Sequence, residues 1–309
     1  MRVVFMGTPD FAVKTLQAVM DAGHEVVLVV TQPDKPKGRG KALSQSPVKE
    51  CALSHGLSVY QPKRVREAEC VAYIGGFCPD MVVVAAFGQI LPKGLLELPR
   101  FGCVNVHASL LPQYRGAAPI QWSVINGDRV SGITTMRMDE GLDTGDIIEQ
   151  ETVTLTEDET GGSLFSRLAE KGAQLLVHTM QLIEEGKAVY TPQDAAQATH
   201  VGMITKQMGC IDWKQPAEAL ERLIRGLDPW PSAYTSIGGK TLKIWRAVAE
   251  CGGSRENAGK VVFVGKDACK IQTGDGVLRL MEVQLEGKKR MGIEAFLRGY
   301  DVREGMLLG

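Results

Sequence analysis

Apolar positions near the start of the chain alternate between short β-branched runs and stretches with helical spacing. Arg2 to Met6 and Val26 to Val30 are apolar enough to be buried strands, and the residues between them predict a helix that begins at Pro9-Asp10-Phe11 and ends before Gly23. This order predicts a βαβ unit with parallel strands. The turn after the first strand lacks the three-glycine fingerprint of dinucleotide-binding folds, so we expect a Rossmann-like sheet without a nicotinamide cofactor.

The same alternation continues to residue 186. Further strands are predicted at 58–60, 81–86, 103–106, 132–138 and 147–154. Further helices are predicted at 47–55, 65–74, 92–98, 118–126 and 163–185. The fold class is therefore α/β, with a mostly parallel sheet and helices on both faces.

Beyond residue 187 the pattern changes. The stretch 188–205 is polar, contains Thr191-Pro192 and has no clear period, which predicts a linker. A helix at 216–227 then precedes five short runs with glycine corners, at 232–238, 241–249, 260–264, 269–273 and 277–285, which predict a small Greek-key barrel. The chain should thus consist of a first domain at 1–187, a linker at 188–205 and a second domain at 206–309.

Composition is typical of a soluble protein. The 309 residues, of which 44% are hydrophobic and 23% charged, suffice for two domains with a core each. The longest apolar run, Met81 to Phe87, is far shorter than the ~20 residues of a membrane helix, so we expect a cytoplasmic protein without a membrane partner. The 7 cysteines contain no C-x-x-C pair and are interpreted as buried small hydrophobic residues rather than as a disulfide framework or a metal site.

Charge is divided unevenly between the two parts of the chain. Residues 1–204 carry 18 Lys and Arg against 23 Asp and Glu, and residues 205–309 carry 17 against 13, which gives net charges of −5 and +4. The surplus weakly favours a polyanion contacting the second part, although a solvated surface would also explain it. Trp230, Tyr234 and Trp245 could stack on bases there, but aromatic residues at barrel corners more often belong to the core.

A concentrated basic loop lies in the first part. The polar stretch 32–45 contains four cations in seven residues, together with glycines and a proline: Lys35, Lys37, Arg39 and Lys41. No core can absorb such a segment, so it is either an exposed solvated loop or a clamp on phosphates.

The strongest chemical signal lies at the end of the strand predicted at 103–106. Asn105 and His107 are two residues apart, so their amide and imidazole groups point to the same side of the strand. The carboxyl ends of strands in an open α/β sheet are where ligands bind. Downstream, the glycine-rich loop from Asp139 to Asp146 follows another strand, and within it we expect Asp143 to be catalytic and the two terminal aspartates to be turn residues.

These residues carry a family resemblance. The motif Asn105-x-His107-x-Ser109-Leu110-Leu111-Pro112-x-x-Arg115-Gly116, with Asp143 in a Gly-Leu-Asp-Thr-Gly loop, resembles the folate-dependent formyltransferase family. Gly7-Thr8-Pro9-Asp10-Phe11 and the basic loop resemble those members that act on the initiator methionyl-tRNA. The resemblance extends over essentially the whole chain. It implies 10-formyltetrahydrofolate as the formyl donor, methionyl-tRNA as the partner, translation initiation as the process, no metal, and an oligonucleotide-binding-like (OB-like) barrel in the second domain.

The resemblance also implies roles for individual residues. Asn105, His107 and Asp143 are the expected catalytic residues. Formyl transfer develops an oxyanion, and an amide donor, an imidazole and a carboxylate suit its stabilisation and the two proton transfers. The folate pocket is expected to be formed by seven residues of two loops, Phe87, Gly88, Leu91, Ser109, Leu110, Leu111 and Pro112. Lys35, Lys37, Arg39 and Lys41 are expected to bind the tRNA, and the protein to act as a monomer.

Alternatives remain open at this point. The acceptor could be a small amine, such as an amino sugar nucleotide or a purine precursor, although the basic loop and the second domain argue against it. The protein could also be a nucleic-acid-binding module with an inert α/β part, which the coexistence of Asn105, His107 and Asp143 disfavours. Arg115 could pair with a carboxylate or phosphate, or form a structural salt bridge.

Overall fold

A computed structural model describes residues 1–37, 42–253 and 257–309, and it divides the chain into two compact units. The first unit consists of Met1–Pro119, Val130–Thr154 and Phe165–Gly202. The second unit consists of Ile120–Arg129, Leu155–Leu164 and Met203–Gly309. The stretch predicted as a linker is thus split, with residues up to Gly202 in the first unit.

Most of the predicted elements are present within one to three residues of their predicted ends. Up to residue 202 the elements are β1 (Arg2–Gly7), α1 (Asp10–Asp21), β2 (Glu25–Val30), β3 (Lys35–Lys37), β4 (Ala42–Ser44), α2 (Pro47–Ser54), β5 (Val59–Tyr60), α3 (Ala68–Gly75), β6 (Met81–Ala85), α4 (Lys93–Leu96), β7 (Cys103–His107), β8 (Arg115–Gly116), α5 (Pro119–Asn126), β9 (Val130–Arg137), β10 (Ile147–Thr154), α6 (Gly161–Glu184) and β11 (His200–Val201). The remaining elements are α7 (Ala217–Gly226), β12 (Ala233–Ile237), β13 (Lys240–Glu250), β14 (Val261–Val264), β15 (Cys269–Gln272), β16 (Val277–Leu285), β17 (Met291–Gly292) and α8 (Ile293–Gly299).

The first unit is built on a seven-stranded sheet with the order β10-β9-β7-β6-β1-β2-β5. The five strands from β7 to β5 are parallel, whereas β9 runs antiparallel to β7 and β10 antiparallel to β9. The Rossmann-like, mostly parallel sheet predicted from the sequence is therefore confirmed. Its β6 and β7 are buried at every residue, as expected for parallel strands that are covered on both faces.

Strand order reverses between β1 and β6, since the chain first builds β2 and β5 on one side and then crosses to β6 and β7 on the other. The loops after β1 and β6 therefore flank the crevice where ligands of open α/β sheets bind. The turn after β1 is tightly packed here: a Cβ on Gly7 would lie 2.6 Å from the Cβ of Ala12 and 2.9 Å from the carbonyl oxygen of Ala85.

Two short strand pairs were not predicted. The stretch 32–45 was expected to be an irregular loop, but it contains the antiparallel pair β3 and β4, in which Lys35 lies opposite Ser44. Pro36 is tolerated because a two-stranded ribbon leaves edges that need no donor. The second pair is parallel: β11 aligns His200 with Arg115 and Val201 with Gly116.

The second unit contains a small antiparallel sheet of order β12-β13-β16-β15-β14, with β17 paired to β16. The antiparallel β domain predicted after residue 206 is therefore confirmed. The last residues of the chain link the two edges of this sheet. Leu308 donates its N–H to the carbonyl oxygen of Gly259, beside β14, and Gly309 donates to Ser236 of β12, at 2.8 and 3.2 Å.

Two composition-based expectations need correction. All seven cysteines are free thiols, but Cys78, Cys210 and Cys251 are exposed, so the interpretation of the whole set as buried hydrophobic residues is wrong for these three. Cys78 and Cys251 lie outside helices and strands, and Cys210 forms an isolated β-bridge with Tyr234. The assignment of the aromatic residues to the core is wrong for Trp230, which is 54% exposed between two prolines.

Candidate active site

Asn105 and His107 lie on β7, which continues through His107 rather than ending at Val106. β7 runs between β6 and β9, and its register places Asn105 opposite Val84 and Met136. Both side chains point to one face of the sheet because they are two residues apart. Both are also buried, with 8% of Asn105 and 7% of His107 exposed.

The side-chain amide of Asn105 makes no hydrogen bond to any described part of the chain, although the residue is buried. Its amide atoms are not fully enclosed, so water or a ligand can bond them. The amide is therefore available to bind a group that enters the site.

His107 has one ring nitrogen committed to the backbone. Its Nε2 lies 2.9 Å from the carbonyl oxygen of Tyr114. A carbonyl oxygen can only accept, so Nε2 carries a hydrogen and donates it. The other ring nitrogen, Nδ1, faces a carboxylate oxygen of Asp143 at 3.7 Å. That distance is longer than a hydrogen bond but short enough for charge interaction.

Asp143 reaches His107 through a long loop. Arg137, at the end of β9, pairs with Val104 near the start of β7, so the loop 138–146 must return along the sheet to bring the carboxylate to the other end of β7. The second carboxylate oxygen of Asp143 accepts a 2.8 Å hydrogen bond from the backbone N–H of Gly116. Its backbone has φ 54°, in the left-handed region that L residues rarely adopt. The structure thus brings the three predicted catalytic residues together.

The loop after β7 is held by neighbouring strands. Ser109 donates from Oγ to the carbonyl oxygen of Gln113 at 2.6 Å. Thr134 of β9 donates to the carbonyl of Ser109 at 2.6 Å and accepts from Leu111 N at 3.1 Å, and Gln150 of β10 donates to the carbonyl of Leu111 at 2.9 Å. Leu110 and Pro112 are partly exposed in this loop. Thr134 and Gln150 carried no sequence signal, because β9 and β10 were predicted without a register to β7.

The other predicted folate residues lie in the loop after β6, at the sheet's switch point. Phe87 and Leu91 are both 2% exposed and pack in the hydrophobic core with residues such as Val4 and Met6. Gly88, with φ 82°, is the exposed member of the three. Any direct contact from this loop would therefore involve its backbone and Gly88 more than the two large side chains, and the pocket role of all seven residues stays a prediction.

Arg115 has a partner that the sequence did not suggest. It is 6% exposed, and its Nε and Nη2 donate to the side-chain oxygen of Gln193 at 3.1 and 2.7 Å. Of the alternatives left open for Arg115, neither a structural salt bridge nor another carboxylate contact is present among the residues described. Gln193 lies 78 residues away, in the stretch predicted as a linker, so neither spacing nor periodicity could have revealed the pair.

The basic loop is described only in part. Lys35 is exposed on β3, whereas Arg39 and Lys41 lie outside the described residues and the side chain of Lys37 is likewise not described. The chain just before β3 is anchored: Lys49 of α2 and Gln61 donate to the two carboxylate oxygens of Asp34 at 2.6 and 2.8 Å. The hydrogen bond from Lys49, and then that from Gln61, lowers the pKa of Asp34 below its ordinary value.

Neither a reactive thiol at the start of β7 nor a metal cluster is part of the site in the described ranges. Burial raises the pKa of Cys103, at the start of β7, to about 12, so its thiol remains protonated and does not serve as a nucleophile. Within residues 1–37, 42–253 and 257–309, no cluster of three His, Cys, Asp or Glu side chains is arranged to hold a metal ion. In the same ranges, no helix combines the length and the apolarity needed to span a membrane.

Comparison with known proteins gives consistent results along the chain. The family described as formyl transferase matches residues 1–180, and the formyl transferase C-terminal domain matches residues 203–301. The methionyl-tRNA formyltransferase of Agathobacter rectalis is 60% identical over 99% of this chain and 98% of that protein. The protein of the same name from Lachnospira eligens is 54% identical over the full length of both.

Solved structures show a similar fold at low identity. WlaRD, a sugar 3N-formyl transferase determined in the presence of dTDP and 5-N-formyl-THF, aligns with a TM-score of 0.66 at 19% identity, covering 94% of this chain and 99% of its own. HypX from Aquifex aeolicus, determined in complex with tetrahydrofolic acid, aligns with a TM-score of 0.61 at 16% identity over 97% of this chain. This chain spans about half of HypX, 47% of its length.

The family matches and the relatives agree with the resemblance that Asn105, His107 and Asp143 indicated. The two family matches together cover all but the stretch 181–202 and the last residues of the chain. The chain belongs to the formyl transferase family of enzymes.

Proposed function

We propose that this enzyme transfers the formyl group of 10-formyltetrahydrofolate to the free amino group of initiator methionyl-tRNA. The observation that carries the proposal is the convergence, at the end of β7, of an unpartnered amide, an imidazole and a carboxylate. Full-length relatives at 54% and 60% identity that are named for this reaction support the choice of acceptor. Translation initiation is the process in which the formylated product is used.

The reaction is acyl transfer from one amine to another. The amino group of the methionyl ester attacks the formyl carbon, the carbonyl oxygen gains negative charge, and the departing folate nitrogen takes up a proton. Asn105 supplies a hydrogen bond to that oxygen. A buried donor aimed at developing charge typically stabilises the transition state by about 3 kcal/mol.

His107 assists the same oxygen and handles a proton. Its Nε2–H is held by the carbonyl of Tyr114, so the ring is fixed in orientation and Nδ1 faces the site. When protonated, Nδ1 carries the proton that the leaving nitrogen receives. Asp143 holds its carboxylate beside Nδ1 through the N–H of Gly116 and accepts a proton from the attacking amine, directly or through water.

The residues around β7 suit a bound folate. 10-Formyltetrahydrofolate supplies a formyl group on a nitrogen that leaves readily once protonated. The amide of Asn105, which makes no hydrogen bond to the described residues, fits the formyl oxygen. The backbone of Ser109 to Pro112, held by Thr134 and Gln150, offers a rigid wall with polar groups in fixed positions. Gly88 provides an exposed stretch of backbone at the switch point.

The tRNA is held by the basic loop and by the second unit. Only the single-stranded acceptor end can enter a pocket of this kind, so the adjoining phosphates must be held outside it. The cations of the basic loop, Lys35, Lys37, Arg39 and Lys41, contact those phosphates. In the second unit, the ring of Trp245 has the guanidinium carbon of Arg290 at 4.7 Å and the Nζ atom of Lys243 at 5.4 Å from its centre. Cations beside an aromatic ring are the combination that nucleic-acid-binding surfaces use.

The test is a direct assay of acceptors. The purified full chain is incubated with 10-formyltetrahydrofolate and a panel of acceptors: methionyl-tRNA initiator, other aminoacyl-tRNAs, an amino sugar nucleotide and an amino ribonucleotide. We expect formylation of the initiator methionyl-tRNA and little of the others. Formylation of a small amine with the tRNAs left unmodified would reject the proposed acceptor and keep the proposed chemistry.

A further inference from the structure

The stretch 188–202 lies between the two family matches, yet it is bound to the catalytic loops along its length. Thr191 and Ile147 exchange two backbone hydrogen bonds, of 2.8 and 2.9 Å. Thr199 accepts from Tyr114 N at its hydroxyl and from Arg115 N at its carbonyl, at 2.8 and 2.9 Å. These contacts reach the loop after β7 and the end of the Asp143 loop, which are the two segments that define the site.

Gln193 uses both ends of its side-chain amide within this stretch. Its oxygen accepts the two hydrogen bonds from Arg115. Its nitrogen donates to the backbone carbonyls of Asp143 and Gly145 at 2.9 and 2.7 Å. A single side chain therefore connects the strand β8 to the turn that carries the catalytic carboxylate.

The cation of Arg115 strengthens this connection. The guanidinium is buried and has no carboxylate within 4.0 Å among the described residues. It donates instead to the neutral side-chain oxygen of Gln193. A hydrogen bond from a charged donor polarises the amide that accepts it, and an amide polarised at its oxygen is a better donor at its nitrogen. The carbonyls of Asp143 and Gly145 receive that stronger donor.

Asp143 has a backbone conformation that needs such support. Its φ of 54° is unfavourable for a residue with a Cβ by about 1 kcal/mol or more, and persists when the surroundings hold it. Gly116 restrains the carboxylate, and Gln193 restrains the backbone on which that carboxylate stands. With the backbone released, the carboxylate would have an alternative, unstrained position away from Nδ1 of His107.

We propose that Gln193, oriented by Arg115, is a positioning residue for Asp143, and that the stretch 188–202 contributes to the active site through this side chain. The inference rests on the proposed catalytic role of Asp143. Loss of the Gln193 nitrogen lowers the rate of the chemical step and leaves the binding of both substrates nearly unchanged, since Gln193 acts through the Asp143 turn.

The test compares three variants of the full chain in steady-state formylation of methionyl-tRNA. Gln193→Ala should lower kcat at least about tenfold with KM for both substrates within about threefold, since misplacement of a catalytic group affects the transition state more than the ground state. Gln193→Glu keeps an oxygen for Arg115 but loses the donors to the turn, so it should lose a similar factor in kcat. Gln197→Ala is the matched control: Gln197 is exposed, lies in the same stretch and bonds the side chain of Asp194, so its kcat should equal that of the wild type.

Two further measurements separate positioning from general structural damage. In an Asp143→Ala background, Gln193→Ala should cause no further loss of kcat, because the group it positions is gone. Hydrogen exchange of the amides in 139–146 should be faster in both Gln193 variants and unchanged in Gln197→Ala, whatever the activity of the enzyme.

The outcomes are distinguishable. Normal kcat in Gln193→Ala, a loss that multiplies fully with that of Asp143→Ala, or unchanged exchange in 139–146 would each overturn the positioning role. A wild-type enzyme that does not formylate methionyl-tRNA would instead reject the proposed function, and the exchange measurement would then decide the positioning role by itself.

Discussion

The Nδ1 atom of His107 lies 3.7 Å from a carboxylate oxygen of Asp143, while the Nε2 atom of the same ring is hydrogen-bonded to the carbonyl of Tyr114. One ring nitrogen is therefore held by a backbone carbonyl, and the other faces a carboxylate that can receive a proton. This relationship makes Nδ1 the ring nitrogen that is placed for proton transfer in the proposed reaction.

Removal of any member of the catalytic group should affect turnover strongly. Asn105→Ala, His107→Ala and Asp143→Ala are each expected to lower kcat at least about a hundredfold, the usual size of the effect for an oxyanion donor or an acid or base group. Single-turnover formylation with saturating folate measures the loss. His55→Ala, at an exposed histidine after α2, is the control and should be fully active.

Each variant should also retain the wild-type circular dichroism spectrum and melting temperature. The losses in the double variant His107→Ala/Asp143→Ala should combine to much less than their product, because each residue depends on the other. Near-normal turnover of His107→Ala would refute the assigned mechanism.

The basic loop should contribute to tRNA affinity and not to folate affinity. Arg39→Ala is expected to impair formylation of methionyl-tRNA severely and Arg39→Lys to restore it only in part, because lysine cannot bind a phosphate in the bidentate way of a guanidinium. Each lost phosphate contact should also flatten the dependence of log Kd on log salt by about 0.7 to 0.9.

Lys14→Ala serves as the control for that experiment, since Lys14 is an exposed cation on α1 paired with Glu170. It should leave the salt slope unchanged. If Arg39→Ala bound tRNA with normal affinity and an unchanged salt slope, the basic loop would be an exposed solvated loop without a role in phosphate binding.

The ion pair between Lys49 and Asp34, just before β3, predicts a pH-dependent effect on stability. Lys49 lowers the pKa of Asp34 below its ordinary value of 3.8. The pair therefore stabilises the folded state at pH values above 3.8, and this contribution is lost as the pH falls through the lowered pKa of the folded state. Lys49→Met should therefore lower the urea midpoint at pH 7 and have a shrinking effect as the pH is lowered below about 3.8. Lys93→Met, which removes an exposed pair with Glu97, should change the midpoint little at either pH.

The end of the chain offers a matched pair of leucines. Leu308 is 3% exposed and its N–H is bonded beside β14, whereas Leu307 is 69% exposed. Leu308→Ala should destabilise the second unit by about 2–5 kcal/mol, the cost of a cavity in a packed site, and Leu307→Ala should have almost no effect. Urea unfolding followed by tryptophan fluorescence measures the stability of both variants. Equal midpoints would contradict a stabilising role for the link that Leu308 makes between the edges of the sheet.

Much of the fold was predictable from the sequence because periodicity is a local signal. The strands from β12 to β16 were found within one to three residues because apolar alternation and glycine corners mark each of them. Asn105 and His107 were found because a strand end and an alternation rule place them without knowledge of any other segment. Asp143 needed the family resemblance, since a glycine-rich loop with aspartates is also what an ordinary turn contains.

What the sequence could not reveal depends on contacts between distant segments. The pairing of β8 with β11 joins two-residue strands that have no period of their own, and Gln193 is an ordinary polar residue until its distance to Arg115 and Asp143 is known. The burial of Phe87 and Leu91 was missed for a related reason, because an apolar loop residue can face a pocket or the core with the same local sequence.

The composition of the second unit has a consequence for the order of events during synthesis. α5 belongs to this unit, and its Ile125 carbonyl is bonded to Arg222 of α7, 97 residues later in the chain. At about 5–20 residues per second, a ribosome needs roughly 5–20 s to make that intervening chain, so the hydrogen bond between α5 and α7 forms only after that delay. The second unit is therefore assembled in stages: Leu155, whose N–H is bonded to the carbonyl oxygen of Arg129, can join it early, whereas α5 receives the hydrogen bond from Arg222 only when α7 has been made.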